Sequence, residues 1–258
     1  MIEQPINVSL GVDWADNHWL CFEHRSNDTA PHPEPYKSLG DLWSDYDYGD
    51  EIDRLCIDIP IGLPSGPDER PVDKQCRSYL DRTSTVFRVP IREALEADTP
   101  KEASEESREG TRTEEMDGVG VQPPAYAIRN QILDVNNFID QCEQNTADVI
   151  YEVHPELCFT AFTRSPPQYS KKTAHGVAER IEALDTVVDD ASELVGKTLT
   201  AVKDNIDDDI EIEVDDVLDA LAAMYTAAAP EDEFWLLTGD AGATSPPRMA
   251  YRSPSELN

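Results

Sequence analysis

Arg54-Leu55-Cys56-Ile57-Asp58-Ile59-Pro60-Ile61-Gly62-Leu63-Pro64 is the stretch around which the chain is organised. Its apolar run, Leu55 to Ile59, reads as a strand buried on both faces, as in a parallel sheet. Asp58 interrupts the run near its end, and Pro60, Gly62 and Pro64 then stop it. A buried carboxylate costs several kcal/mol unless it is paired, protonated or metal-bound. The carboxyl end of a strand is also where open α/β sheets carry their chemistry. Asp58 is therefore either a structural acid satisfied by backbone donors or one ligand of a metal site.

Upstream, Asn7 to Trp14 reads as a first strand with Asp13 near its end. The Asp16-Asn17 turn joins it to a second strand, His18 to His24, as a hairpin. A third strand is expected around Pro33 to Lys37, and Ser38 is placed to cap a short helix through Leu39, Leu42, Trp43 and Tyr46. Downstream, Pro71 opens a helix running to about Arg82, followed by extended chain from Thr85 to Ile91. Residues 93–121 are polar with little periodicity and are expected to form an insertion or flexible loop. From Gln122 to Gln144, the apolar positions Ala125, Ile128, Ile132, Val135, Ile139 and Cys142 step by three and four, the pattern of one long amphipathic helix.

Asp148 to Val153 is the next strand and carries Glu152; His154-Pro155-Glu156 then opens a helix through Phe162. Further helices are expected over Gly176 to Val188, Ser192 to Val202 and Val214 to Ala228, with a short strand at Phe234 to Leu237 and a Pro- and Ser-rich tail over 240–258. The whole reads as a single domain, residues 1–258.

Fifty-three acids stand against 21 Lys and Arg, a formal net charge of -32. Such self-repulsion destabilises a compact state in dilute buffer, whereas in molar salt the Debye length falls to about 3 Å. The charge reads as adaptation to a high-salt cytoplasm. It supplies no basic footprint for nucleic acid, so any such binding has to be local and metal-assisted. The five cysteines, Cys21, Cys56, Cys76, Cys142 and Cys158, form no CxxC pair and read as reduced core thiols of a cytoplasmic protein. Neither a signal-peptide apolar region nor a membrane span is recognisable. P-loop, Rossmann and GxSxG patterns are also missing.

Asp13, Asp58 and Glu152 all fall at strand ends, and strands joined by crossovers run parallel, so these ends gather on one edge. In Asp215-Asp216-Val217-Leu218-Asp219-Ala220-Leu221-Ala222-Ala223, Asp216 and Asp219 are three apart and share a helix face. Ala220 and Ala223 continue that face and allow a close approach to the sheet. Asp215 and the acids before it read as solvated charge. Acids so gathered suit hard divalent cations, Mg²⁺ or Mn²⁺, and two ions about 3.5–4 Å apart clamp the oxygens of a phosphoryl displacement. Arg70, Arg77, Arg88 and Arg92 are candidate phosphate forks or partners of the abundant acids. Lys171 and Lys172 are candidate phosphate contacts, and His154 either orients a reacting group or caps the next helix. Glu156 competes with Glu152 as third ligand, although its first-turn position has a structural explanation.

Several of these pieces together resemble the domain-of-unknown-function family numbered 429, predicted nucleases with a ribonuclease H-like fold. The matching residues are Gly11-Val12-Asp13, Ile57 to Pro64, Arg70 with Asp73 and Arg77, Val86 to Arg92, Glu152 to Glu156, Ser170-Lys171-Lys172 and the Asp216 to Ala223 run. The last helix is also similar to that of Holliday-junction resolvases, where a DxxDA run supplies metal ligands. The chain departs from the pattern at Gly120-Val121-Gln122-Pro123-Pro124, where similar proteins tend to have serine-glutamine, and around Gly110 to Gly118.

The resemblance implies a mixed five-stranded ribonuclease H-like α/β sheet flanked by helices, with a helical insertion. It also implies a divalent-metal-dependent nuclease acting on nucleic acid or a nucleotide. Asp13, Asp58, Glu152 and Asp219 are the expected metal ligands, with Asp216 a further catalytic candidate. The alternatives are an actin-like ATP-dependent phosphotransferase and a non-catalytic binding module on the same sheet. The residues around Asp13 (Trp14-Ala15-Asp16) lack the Gly and Ser or Thr of such phosphotransferases.

Overall fold

Alternating apolar residues in the first three strands and the buried run before Asp58 assemble one mixed sheet. The computed structural model describes residues 8–25, 31–49, 51–142, 148–238 and 247–257. The sheet strands are β1 (Val8–Ala15), β2 (His18–His24), β3 (His32–Tyr36), β4 (Ile52–Ile57), β5 (Ile150–Glu152), β6 (Phe234–Leu237) and β7 (Met249–Arg252). Their order is β3-β2-β1-β4-β5-β7-β6. β2 runs antiparallel to both of its neighbours, β1 and β3, and β4 and β5 continue parallel to β1. The β1–β2 turn places Asp16 and Asn17 at positive φ, 40° and 63°, the handedness a two-residue hairpin turn demands. Among the described residues the sheet thus has seven strands rather than five. The extra ones are β6 and β7, the latter inside what reads in sequence as a Pro- and Ser-rich tail.

The described residues divide between two compact units. The first draws on Met1–Asp58, Glu143–Leu236 and Ala250–Asn258, the second on Ile59–Cys142 and Leu237–Met249. In the first unit, four helices share a core with one face of the sheet: α7 (Pro155–Thr163), α8 (Ala174–Leu184), α9 (Ala191–Asn205) and α10 (Val214–Ala227). α10 is the central one, with every residue from Val217 to Ala227 buried. It lies backbone against backbone on β1, because at Gly11 a Cβ would stand 2.1 Å from Met224 N and 2.4 Å from Ala220 O. Only a glycine permits that approach. Also in this unit, Ser38 caps α1 (Leu39–Asp45) by accepting from Asp41 N at 3.1 Å.

The second unit contains α2 (Pro71–Ser78), α3 (Arg92–Glu96), α4 (Pro100–Gly110), α5 (Pro123–Ala127) and α6 (Arg129–Gln141). Two expectations are corrected here. Much of the polar 93–121 stretch is helical: Thr99 caps α4, accepting from Glu102 N at 3.2 Å, and Ala103 and Ser107 on one side of it are buried. The polar sequence conceals this helix because its buried face is only two small residues wide. The long helix from Gln122 is broken at Ile128, whose backbone (φ -107°, ψ 20°) leaves the helical range between α5 and α6. Its expected end at Gln144, the expected start of β1 at Asn7 and residues 240–246 of the tail lie outside the described residues.

Candidate functional site

Parallel pairing of β1 with β4 brings the first two acids together. Val12 stands opposite Ile57, and Asp58 N donates to Val12 O at 3.0 Å, carrying the ladder one residue further, to Asp13 and Asp58. Both side chains leave the sheet on the face that carries Gly11 and Cys56, the face α10 covers. Asp219 reaches the same place from the second turn of α10 and is almost wholly buried. Its Oδ2 accepts from Lys171 Nζ, while its Oδ1 is buried with no hydrogen-bond partner. Asp13 Oδ1 accepts from Trp14 N at 2.8 Å.

These carboxyls are electrostatically frustrated. Burial, and then the charges of Asp58 and Asp219, hold the Asp13 carboxyl well above the usual range. Burial pushes Asp58 up to about 8, with Asp219 adding to it against the opposing pull of Lys171. Asp219 rises to about 6, burial outweighing the adjacent Lys171 ammonium. Lys171 in turn is held more firmly protonated, because the surrounding carboxylates overcome its own desolvation.

Glu152 takes a different position. It pairs with Ile57 in the β4–β5 register, so its side chain leaves the sheet on the face opposite Asp13 and Asp58, although its charge still raises Asp58. Glu156, in the first turn of α7, acts on both Asp58 and Asp219. It is anchored by an ion pair with the buried Arg180 of α8. Of the two glutamates left open by the sequence, Glu156 shares the acids' surroundings more fully. His154 sits at the N-cap of α7 but its side chain makes no capping hydrogen bond.

The start of α10 also differs from expectation. Asp215, read as solvated charge, is buried, because Lys172 Nζ lies 2.9 Å from its Oδ1 and Lys171 Nζ 3.3 Å from its Oδ2. Asp216 accepts from Glu213 N at 2.9 Å as half of a capping box, a structural role for that candidate. Among the described residues, the one set of three possible ligands with donor atoms all within 4.8 Å is Glu213, Asp215 and Asp216, and Lys172 already bonds two of them. Asp13, Asp58, Glu152 and Asp219 do not form so tight a set. Asp219 Oδ1 is nevertheless buried with no hydrogen-bond partner, a carboxylate oxygen that a hard divalent cation could use.

The arginine candidates belong to the second unit and are occupied there. Arg70 forms a fully buried fork with Asp73 at 2.5 Å and donates to Ile61 O at 3.0 Å. Arg77 pairs with Glu69 and donates to Val86 O at 2.9 Å. Arg88 donates to Pro67 O, and Arg92 reaches Asn137 at 2.6 Å and Asp140 at 3.1 Å. Each therefore has a structural partner.

Arg180 and Arg54 have no place in the sequence-level site. Arg180 is 2 % exposed. The signal for it was available: it stands four residues after Gly176 and four before Leu184, a cation on the buried face of its helix. Arg54 opens the stretch that organises the chain. Its Nη1 donates to Ala227 O at 3.2 Å and Ala229 O at 2.6 Å, holding the carbonyl end of α10.

A mixed α/β protein whose central helix and two parallel strand ends gather buried and half-buried carboxyls is the class that fold and site define. Residues 11–241 match the family described as "Protein of unknown function (DUF429)", and the chain belongs to that family. No curated protein and no solved structure matches it. No helix among the described residues is long and apolar enough to cross a membrane.

Proposed function

We propose that this protein is a divalent-metal-dependent phosphodiester hydrolase, a nuclease built on a ribonuclease H-like sheet. The observation that carries the reading is the convergence of buried Asp13 and Asp219 and half-buried Asp58, from two adjacent parallel strands and one helix, on a single spot. The stretch β3-β2-β1-β4-β5, with its antiparallel triplet and two parallel strands, is consistent with the mixed five-stranded core that the family resemblance implies.

Asp13, Asp58 and Asp219 would hold Mg²⁺ or Mn²⁺, with Glu156 better placed than Glu152 to complete the set. A bound ion supplies a hydroxide nucleophile near neutral pH and neutralises charge on the phosphate. The chain's own residues do the rest. Asp219 Oδ1 offers a lone pair that nothing else uses, the backbone of β1 and β4 fixes the spacing of Asp13 and Asp58, and Arg180 orients Glu156. The net charge repels a polyanionic substrate at long range, so recognition rests on the ion and on short-range contacts, in a high-salt setting that screens the repulsion.

The test is cleavage of labelled single- and double-stranded DNA, RNA and an activated phosphodiester with Mn²⁺ in molar KCl, wild type beside Asp13→Asn. We expect metal-dependent cleavage that falls by more than about 100-fold in the variant at unchanged melting temperature, since even outer-shell partners of metal ligands are worth 10–100-fold. Full activity in Asp13→Asn, or ATP turnover in place of diester cleavage, overturns the reading.

A further inference from the structure

The Lys171 ammonium is tied into the acid cluster by a bond to Asp219 Oδ2 and a 3.3 Å approach to Asp215 Oδ2, and it acts on Asp13 and Asp58 as well. We propose that Lys171 is a resident second cation of this site, so that the site takes one divalent ion where a two-ion phosphodiesterase takes two. This rests on the metal-dependent reading above and sets its stoichiometry.

The position of Lys171 is built by its surroundings. Its turn is clamped by α8: Thr173 Oγ1 donates to Ser170 O at 2.8 Å and accepts from Gly176 N at 3.1 Å. Glu179 accepts from Gln168 N at 3.1 Å and Tyr169 N at 2.8 Å, and Arg180 donates to Tyr169 O at 3.3 Å. Gly176 lies so close beneath the turn that a Cβ there would stand 2.0 Å from Ser170 O. A lysine on a loose turn would swing to solvent. This one is held with its side chain only 37 % exposed in a protein with many surface acids to pair with.

The surrounding charge points the same way. Asp13, Asp58, Glu152, Glu156 and Asp219 act on one another as one group of carboxyls, and the cations bonded to it are Lys171 and Arg180, so the acids outnumber the bases that meet them. The split use of Asp219 fits the same arrangement: Oδ2 serves the ammonium and Oδ1 remains for the ion, so this carboxylate bridges the two cations. In a two-ion site the second ion neutralises one side of the displaced phosphoryl group. A fixed ammonium beside the first ion does that without needing its own ligand shell. Lys171 is thus a positioning and charge-balancing residue.

Calorimetric titration with Mn²⁺ in molar KCl, of wild type, Lys171→Arg and Lys171→Met, tests this without requiring a substrate. We expect one saturable ion per chain in wild type and in Lys171→Arg, and at least tenfold tighter binding of that ion in Lys171→Met, where the competing ammonium is gone. Two saturable ions in wild type overturn the proposal, and that readout needs no variant to fold. Unchanged or weaker binding by a Lys171→Met protein with a wild-type melting profile overturns it too. Failure of the metal reading itself looks different: wild-type binding is then indistinguishable from that of Asp13→Asn, and both ideas fall together.

Discussion

At Asp58, burial and neighbouring charge act in the same direction. The residue lies one step beyond β4, beside Asp13 and within reach of Asp219, Glu152 and Glu156, and only Lys171 opposes the rise of its carboxyl to about 8. The linkage has a definite sign. Between the unfolded value near 3.8 and the folded value near 8, the folded protein holds a proton that the unfolded chain releases. Metal-free stability therefore falls as pH rises through that window, and Asp219, raised to about 6, contributes over its lower half. Thermal melts in molar KCl with a chelator should show this decline, flattened in Asp58→Asn and by saturating Mn²⁺, which displaces the protons. A stability that instead rises from pH 5 to 8 contradicts the account. Asp13, Asp58 and Asp219 were legible in the sequence because each interrupts an apolar pattern. Asp215 was not, since it sits in an acidic run and its burial depends on two lysines more than forty residues earlier.

α10 delivers the third acid, and three devices hold that helix. Gly11 lets its middle reach the backbone of β1, Arg54 holds its carbonyl end, and Lys171 and Lys172 hold its acidic start. Gly11→Val puts atoms where Met224 N and Ala220 O now stand, so the helix has to lift away and carry Asp219 with it. The expected cost is about 1–3 kcal/mol by chemical denaturation, together with weaker Mn²⁺ binding. Unchanged stability would mean that the close approach of helix and strand is not needed. The elements themselves were largely readable. Period-two and period-3.6 patterns and the Ser38 cap marked the β1–β2 hairpin, α1, β4 and α10. The patterns failed where the physical signal is small: α4 buries little, β7 is four residues in a Pro- and Ser-rich stretch, and the break at Ile128 leaves the apolar spacing intact. The face that Glu152 uses was unreadable for a related reason. Its strand was placed correctly, but which face it uses depends on pairing register, and a one-residue step reverses the face.

Across the whole molecule, a net charge of -32 coexists with a site whose acids already repel one another. General screening by salt relieves the surface but reaches the buried carboxyls weakly. A specific cation relieves them directly. The gathering of acids from β1, β4 and α10 on this spot makes a saturable metal site the central claim of the proposed function. It is tested most directly by Mn²⁺ calorimetry in molar KCl, where diffuse binding to the acidic surface is suppressed, on wild type, Asp13→Asn and Asp58→Asn. The account predicts saturable binding by the wild type that is lost in both variants at unchanged fold. Equal binding by all three proteins would contradict it, leaving these acids a structural cluster and the bound metal a response to bulk charge.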